Sequence, residues 1–235
     1  SDPPPTHDKE VLSREVLHTN DPTGFLAAPV CSLLSSLTRL HFYGNHEGEV
    51  ERFTNEQEGA LQLLTSLRDL RCSELYKLHC LPAGLHRVSS LETLRIEYGR
   101  SFKSLPKDGL PSSLKYLEIW CCSAFKSPPK DSLPSSLTHL EIHGCSAFES
   151  LPKEGLPCSL QTLEIWDCPA FKSLPKDSLP SSLENVEIWD CPALTSLPKD
   201  GLPSSLRKLT VRSGNSKELM RQCRKLKGTI PIIDD

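Results

Sequence analysis

From Leu91 to Leu209 the apolar residues keep one frame that returns every 23 residues. Leu114, Leu117, Ile119 and Cys122 come back as Leu137, Leu140, Ile142 and Cys145. They return again as Leu160, Leu163, Ile165 and Cys168, then as Leu183, Val186, Ile188 and Cys191. Inside each unit Leu117 and Ile119 alternate with Glu118 and Trp120, the period-2 pattern of a strand with one buried face. One such strand cannot bury its apolar side alone. Stacking neighbours about 4.8 Å apart lines Leu117, Leu140, Leu163 and Val186 into one core row and the isoleucines into a second. Full burial of each side chain contributes roughly 1.5–3 kcal/mol, so the pattern predicts stable interior repeats and fraying ends.

Between strands each unit returns through Ala-Phe or Ala-Leu and then a segment such as Phe125-Lys-Ser-Pro-Pro-Lys-Asp-Ser-Leu133-Pro-Ser-Ser. Paired prolines with turn-forming Asp, Gly and Ser exclude a full helix. The expectation is extended or polyproline-like chain and tight turns, with Phe125, Phe148, Phe171 and Leu133 filling the interior. Pro128 stands where Leu105, Leu151, Leu174 and Leu197 stand, so that repeat is expected to pack less well. The frame L-x-x-L-x-I-x-x-C is the leucine-rich-repeat signature at a permitted period. It predicts an α/β leucine-rich-repeat solenoid: curved, with a parallel β-sheet on the concave face, a mostly irregular convex side and few short helices.

The whole chain, 1–235, reads as a single leucine-rich-repeat domain. Residues 1–35 are Pro-rich, acidic and irregular, and repeats are expected to be missing in front of them. Residues 36–90 hold diverged repeats, one marked by Leu37, Leu40 and Phe42 and one by Leu67, Leu70, Cys72, Leu75 and Leu78. An acidic insertion, Glu47 to Glu58, separates them, and Gln57 to Leu64 is placed as a short outer helix. Regular repeats fill 91–215. A cap spans 216–235, where Ser216 is expected to cap a helix through its side-chain oxygen and shield the last repeat.

Composition narrows the function classes. A net charge of −3 leaves no footprint for nucleic acid. No apolar run approaches the roughly 18 residues of a membrane span, and nothing reads as a signal peptide, so no membrane partner is expected. The only methionine is Met220, so Ser1 is read as the start of a fragment or a processed chain. Four of the ten cysteines recur at one repeat position, a packing position, and no Asn-x-Ser/Thr acceptor occurs. Both point to a reducing, cytoplasmic setting, possible in the nucleus as well. Stacked Cys122, Cys145, Cys168 and Cys191 have geometry that permits bridging; the preferred reading is buried thiols acting as small apolar groups. Cys121 and Cys158 fall outside that column and are expected to be more accessible.

Outward strand positions stack into ladders. Glu118, Glu141, Glu164 and Glu187 form an acidic column between Arg95 and Thr210. Beside it run Trp120, His143, Trp166 and Trp189, between Glu97 and Arg212. Like charges opposite one another destabilise a sheet, so four glutamates beside three tryptophans, read as exposed, fit an interface for a basic protein. The candidate protein-binding residues are Arg95, Tyr116, Glu118, Trp120, His139, Glu141, His143, Glu164, Trp166, Glu187, Trp189 and Arg212. The competing view is duplication of one unit without selection for binding. His139, Glu141 and His143 share a strand face, but alternate residues stand about 6.6 Å apart, too far to converge on zinc. No phosphate loop, H-E-x-x-H or nucleophile elbow occurs. No catalytic residue, metal or cofactor is assigned, and enzymatic activity is not expected. The recurring pairs Lys107-Asp108, Lys130-Asp131, Lys153-Glu154, Lys176-Asp177 and Lys199-Asp200 read as a solvated edge.

The units Ser-Leu-Pro-Lys-Asp-Gly-Leu-Pro-Ser-Ser-Leu followed by Leu-Glu-Ile-x-x-Cys resemble the C-terminal repeats of plant intracellular immune receptors. These are the coiled-coil, nucleotide-binding, leucine-rich-repeat receptors, in the style of grasses. Gln57-Glu-Gly-Ala-Leu-Gln-Leu-Leu-Thr-Ser-Leu67 and Cys223-Arg-Lys-Leu-Lys-Gly-Thr-Ile230 are similar to that group as well. The resemblance covers about residues 33–230. It implies recognition of a pathogen or pest effector, or of a guarded host protein. It also implies intramolecular contact with nucleotide-binding and coiled-coil portions absent here, which restrains the switch until a ligand shifts the equilibrium. The alternative is a leucine-rich-repeat adaptor that recruits substrates for a ubiquitin ligase. Bacterial secreted ligases share the Leu-Pro-Ser-Ser-Leu wording but use shorter units with Asn in place of Cys. An extracellular receptor ectodomain is a third possibility, marked by glycans or paired cysteines.

Overall fold

The computed structural model describes residues 15–44, 50–152, 155–175, 179–198, 201–212 and 214–230, with the backbone of Ile232–Asp234. Ten parallel strands follow one another in chain order through a single sheet. They are β1 (Val16–Thr19), β2 (Arg39–Tyr43), β3 (Asp69–Ser73), β4 (Thr93–Glu97) and β5 (Tyr116–Trp120), then β6 (His139–His143), β7 (Thr162–Trp166), β8 (Asn185–Trp189), β9 (Lys208–Val211) and β10 (Ile232–Asp234). Helices are few: α1 (Pro22–Phe25), α2 (Ala28–Leu33), α3 (Asn55–Leu61), one 3-10 turn at Ala83–Arg87, and α4 (Lys217–Lys225). This is the curved leucine-rich-repeat solenoid expected from the frame.

The register stacks identical positions. Leu117 pairs with Leu140, Leu140 with Leu163 and Leu163 with Val186, and the isoleucine row runs beside them. Behind the sheet, Phe102, Phe125, Phe148 and Phe171 form a spine, with successive ring centroids 5.8, 5.9 and 5.3 Å apart. Leu133 is only half-buried, on the rim of that core. The residue after each of β3 to β8 turns the chain outward in the left-handed region: Glu74 (φ 58), Tyr98 (φ 55), Cys121 (φ 53), Gly144 (φ 65), Asp167 (φ 49) and Asp190 (φ 47). Only Gly144 adopts this without side-chain strain. Tyr98, Cys121 and Asp167 are held because the N–H donates across to the next strand, to the carbonyls of Trp120 (2.9 Å), His143 (2.7 Å) and Trp189 (3.0 Å).

Two ladders explain residues that recur without being apolar. The serine two residues after the proline ahead of each of β5 to β8 donates to a leucine carbonyl of the preceding repeat: Ser113 to Leu91 (2.6 Å), then Ser136 to Leu114, Ser159 to Leu137 and Ser182 to Leu160 (each 2.7 Å). The cysteine column works alike. Cys145 Sγ lies 3.5 Å from the Ile119 carbonyl and Cys168 Sγ 3.7 Å from that of Ile142. None of the ten cysteines forms a disulfide. The thiols of Cys145, Cys168 and Cys191 are held above their usual range, the first chiefly by its contact with Cys122 and the other two by burial, so they stay protonated donors. In the last repeat Asn215 takes the position, receiving the Cys191 N–H (3.0 Å) and donating to the Ile188 carbonyl (2.9 Å).

The ends differ from the sequence reading. Within 1–35, expected to be irregular, residues from Glu15 onward supply β1, α1 and α2, and β1 pairs with β2. Residues 1–14 and 45–49 lie outside the described residues, the latter including the start of the acidic insertion. The insertion's remainder leads into α3, which begins two residues before the expected Gln57, ends at Leu61 and is closed by a capping box between Thr54 and Gln57. In the C-terminal cap Ser216 accepts the Leu219 N–H at 3.2 Å, as its N-cap role requires. Beyond α4 an unforeseen strand, β10, adds to the sheet beside β9. Pro128, expected to pack poorly, is buried, whereas Leu197 of the last repeat is half-buried. Lys107, Asp108, Lys130 and Asp131 are exposed, and the three later Lys/acid pairs lie outside the described residues.

Candidate functional site

Every outward side chain of β4 to β9 is placed by the pleat, so the concave face is three columns wide. The middle column continues further toward the N-terminus than its acidic part reveals. His18 pairs with His41, His41 with Arg71, Arg71 with Arg95 and Arg95 with Glu118. Four positions that carry or can carry positive charge thus precede four carboxylates, and Thr210 follows Glu187. The sequence held the signal: Leu40, Leu70 and Leu94 occupy equivalent core positions, and the residue after each belongs to this column.

Ion pairs divide the acidic column unevenly. Arg95 Nε donates to Glu118 at 2.9 Å while its Nη1 reaches Asp69 at 2.9 Å. Lys208 Nζ lies 2.9 Å from Glu187. Arg71 pairs at 2.6 Å with Glu97, which is 4% exposed. Between the neutralised ends Glu141 and Glu164 form no salt bridge among the described residues. Both are half-buried. Burial first, then the charges of Glu164 and Glu118, push the Glu141 carboxyl up to about 7. Burial and Glu187 raise Glu164, against the pull of Lys208. The two line a depression of about 90 Å³ together with Tyr116, Glu118, His139 and Thr162.

The third column is a continuous aromatic stack. His143 stands edge-on between Trp120 and Trp166, at 5.8 and 5.6 Å, and Trp166 lies flat on Trp189 at 4.9 Å and 14°. Arg212 closes the stack, its guanidinium 4.2 Å from the Trp189 ring centre. The three tryptophans, read from the sequence as exposed, are half-buried because each covers its neighbour. Their indole nitrogens are buried without a hydrogen-bond partner. That of Trp120 is turned toward Glu141, near enough to favour its charged form yet outside hydrogen-bond geometry. In the first column Tyr116 stacks on His139 at 4.5 Å, and Thr138 Oγ1 lies 2.9 Å from His139 Nδ1. Burial lowers the pKa of His139.

The structure therefore brings the candidate residues onto one face but gives them unequal freedom. Arg95, Glu118 and Glu187 are spent on one another or on Asp69 and Lys208, two partners the sequence reading left out. Among the described residues no group of three His, Cys, Asp or Glu is placed to hold a metal, and His139 and His143 point into separate stacks. Cys158 is exposed and Cys121 half-buried. Among the described residues no helix is long and apolar enough to cross a membrane.

Comparison with known proteins agrees at the level of the fold. The FNIP repeat family model matches residues 103–145, which spans β5 and β6. Among solved structures, the leucine-rich repeat domain of the type III effector XopL is similar, with a TM-score of 0.54 at 20% identity. That match covers 90% of this chain and 79% of that one. A leucine-rich repeat protein of Leptospira interrogans covers 92% of this chain and 99% of its own at 14% identity, with a TM-score of 0.25, too low to argue from. No curated protein matches. The repeat-family match and the XopL likeness support a leucine-rich-repeat fold.

Proposed function

We propose that this chain is the recognition and autoregulatory module of a plant intracellular immune receptor of the coiled-coil, nucleotide-binding, leucine-rich-repeat kind. Its concave face binds a pathogen or pest effector, or a guarded host protein. In the cytoplasm it restrains the nucleotide-binding switch until that ligand favours the active state. The wording of the repeats supports the receptor class.

One observation carries the binding role: the middle of the acidic column is left without cations while its ends are paired. Folding sets two like charges side by side on a half-buried floor, at a cost to the sheet. A basic side chain laid between the Tyr116–His139 pair and the Trp stack neutralises both, with the aromatic surfaces excluding water around the contact.

The test is affinity capture from host plant lysate, read quantitatively by mass spectrometry. Wild type is compared with the Glu141→Gln/Glu164→Gln double variant, whose folding is checked by circular dichroism. These substitutions leave the half-buried tryptophans and their packing untouched. A partner enriched by wild type and lost from the double variant supports the proposal. Equal capture by both removes the concave acidic floor from recognition.

A further inference from the structure

We infer that Ser127 is a phosphorylation site for a proline-directed serine kinase that also reads a basic residue three positions on. The chain contains a single Ser-Pro or Thr-Pro step, and it falls in Ser127-Pro128-Pro129-Lys130. The sister repeats have Ser104, Ser150, Ser173 and Ser196 followed by leucine instead.

The repeat that carries this step has an outer side tied down on one flank only. Three outer segments are joined to the preceding repeat by N–H donation, from Lys103 to His79 (3.0 Å), Glu149 to Lys126 (2.8 Å) and Lys172 to Glu149 (3.0 Å), and the last repeat, at Thr195, shares the lack of such a bond among the described residues. The corresponding bond from Lys126 to Lys103 is missing among the described residues, and the isolated bridges at Cys80–Ser104 and Ser150–Ser173 have no counterpart at Ser127. Pro128 has no N–H to give. The next turn is altered too: Ser132 stands where the sister turns have Gly109 and Gly201, and the left-handed conformation moves one residue earlier, to Asp131 (φ 56). Among the described residues the Ser127 hydroxyl has no hydrogen-bond partner, whereas that of Ser104 donates to the Leu105 carbonyl at 2.8 Å. Segments with few backbone bonds open locally at lower free energy.

Opening lifts Pro128 from its buried seat and offers the kinase a ring with no N–H to leave unpaired in an apolar pocket. Lys130, already exposed, supplies the charge three residues on. In the reaction the Ser127 oxygen forms a bond to the γ-phosphorus of ATP. The bond from that phosphorus to the β–γ bridging oxygen breaks, ADP leaves, and the hydroxyl proton passes to the kinase base. The product gains about −1.5 to −2 charges on an outer face where Lys103, Lys126 and Lys130 are all exposed.

The experiment incubates the folded protein with a cyclin-dependent-type kinase and magnesium ATP, then maps phosphate by mass spectrometry. A synthetic peptide covering Ala124 to Pro134 and the variants Ser127→Ala and Pro128→Leu run alongside. The expected result is one phosphate at Ser127, none in Ser127→Ala, and a rate lower by roughly tenfold or more in Pro128→Leu, which restores the sister-repeat sequence. Modification of a sister serine instead, an unmodified protein beside a modified peptide, or an unmodified peptide each overturns the inference.

Discussion

Glu141 lies at the centre of a row whose ends are already paired, and that position gives it a measurable signature. Its carboxyl is raised from 4.5 to about 7, first by burial and then by Glu164 and Glu118. Between those values the folded protein binds more protons than the unfolded chain, so stability falls as pH rises from 4.5 toward 7 and stays at the lower level above it. Glu141→Gln removes that loss. The variant is expected to melt above wild type at pH 8 and together with it at pH 4, followed by thermal unfolding. A difference that does not change with pH contradicts the assignment. The alternation of Glu118 to Glu187 with the core was readable from the sequence, but the pairing of their ends was not. It depends on Lys208, which reaches Glu187 from the neighbouring column, and on Asp69, whose register follows only once the diverged units are aligned.

At the scale of the element, each repeat is fastened laterally as well as packed. The Phe spine and the serine ladder make different predictions. Phe148→Ala empties a site stacked on both sides and is expected to lower stability by roughly 3–5 kcal/mol. Ser136→Ala leaves the Leu114 carbonyl without its donor and is expected to lower it by about 1 kcal/mol. Ser135→Ala, at an exposed neighbouring position, stays within about 0.5 kcal/mol of wild type. Urea unfolding measures all three, and identical behaviour of the two serine variants refutes the ladder. The recurrence of Pro-Ser-Ser was plain in the sequence. Which serine turns inward was not, because a turn has no fixed period to assign its faces. The same limit hid β1 and β10: Val16-Leu-His-Thr19 lacks the frame's second leucine pair, and Ile232-Ile-Asp234 is too short for alternation to show.

Across the whole molecule, the parallel register turns single-residue differences into long-range pattern. One column runs from His18 to Arg95 and then from Glu118 to Glu187, so this column passes from basic to acidic residues between β4 and β5. A ligand engaging β5 to β8 meets acid beside stacked aromatic surface, with its uncompensated centre at β6 and β7. The most direct test of that claim is the dissociation constant of the captured partner by titration calorimetry. It is measured for wild type and for Glu141→Gln/Glu164→Gln at low and at physiological salt. The account predicts that the double variant binds at least about tenfold more weakly, as expected when a partly buried charge pair loses one side. It also predicts that the variant loses most of the salt dependence. Equal affinity and equal salt dependence in the two proteins would show that the acidic floor takes no part in recognition.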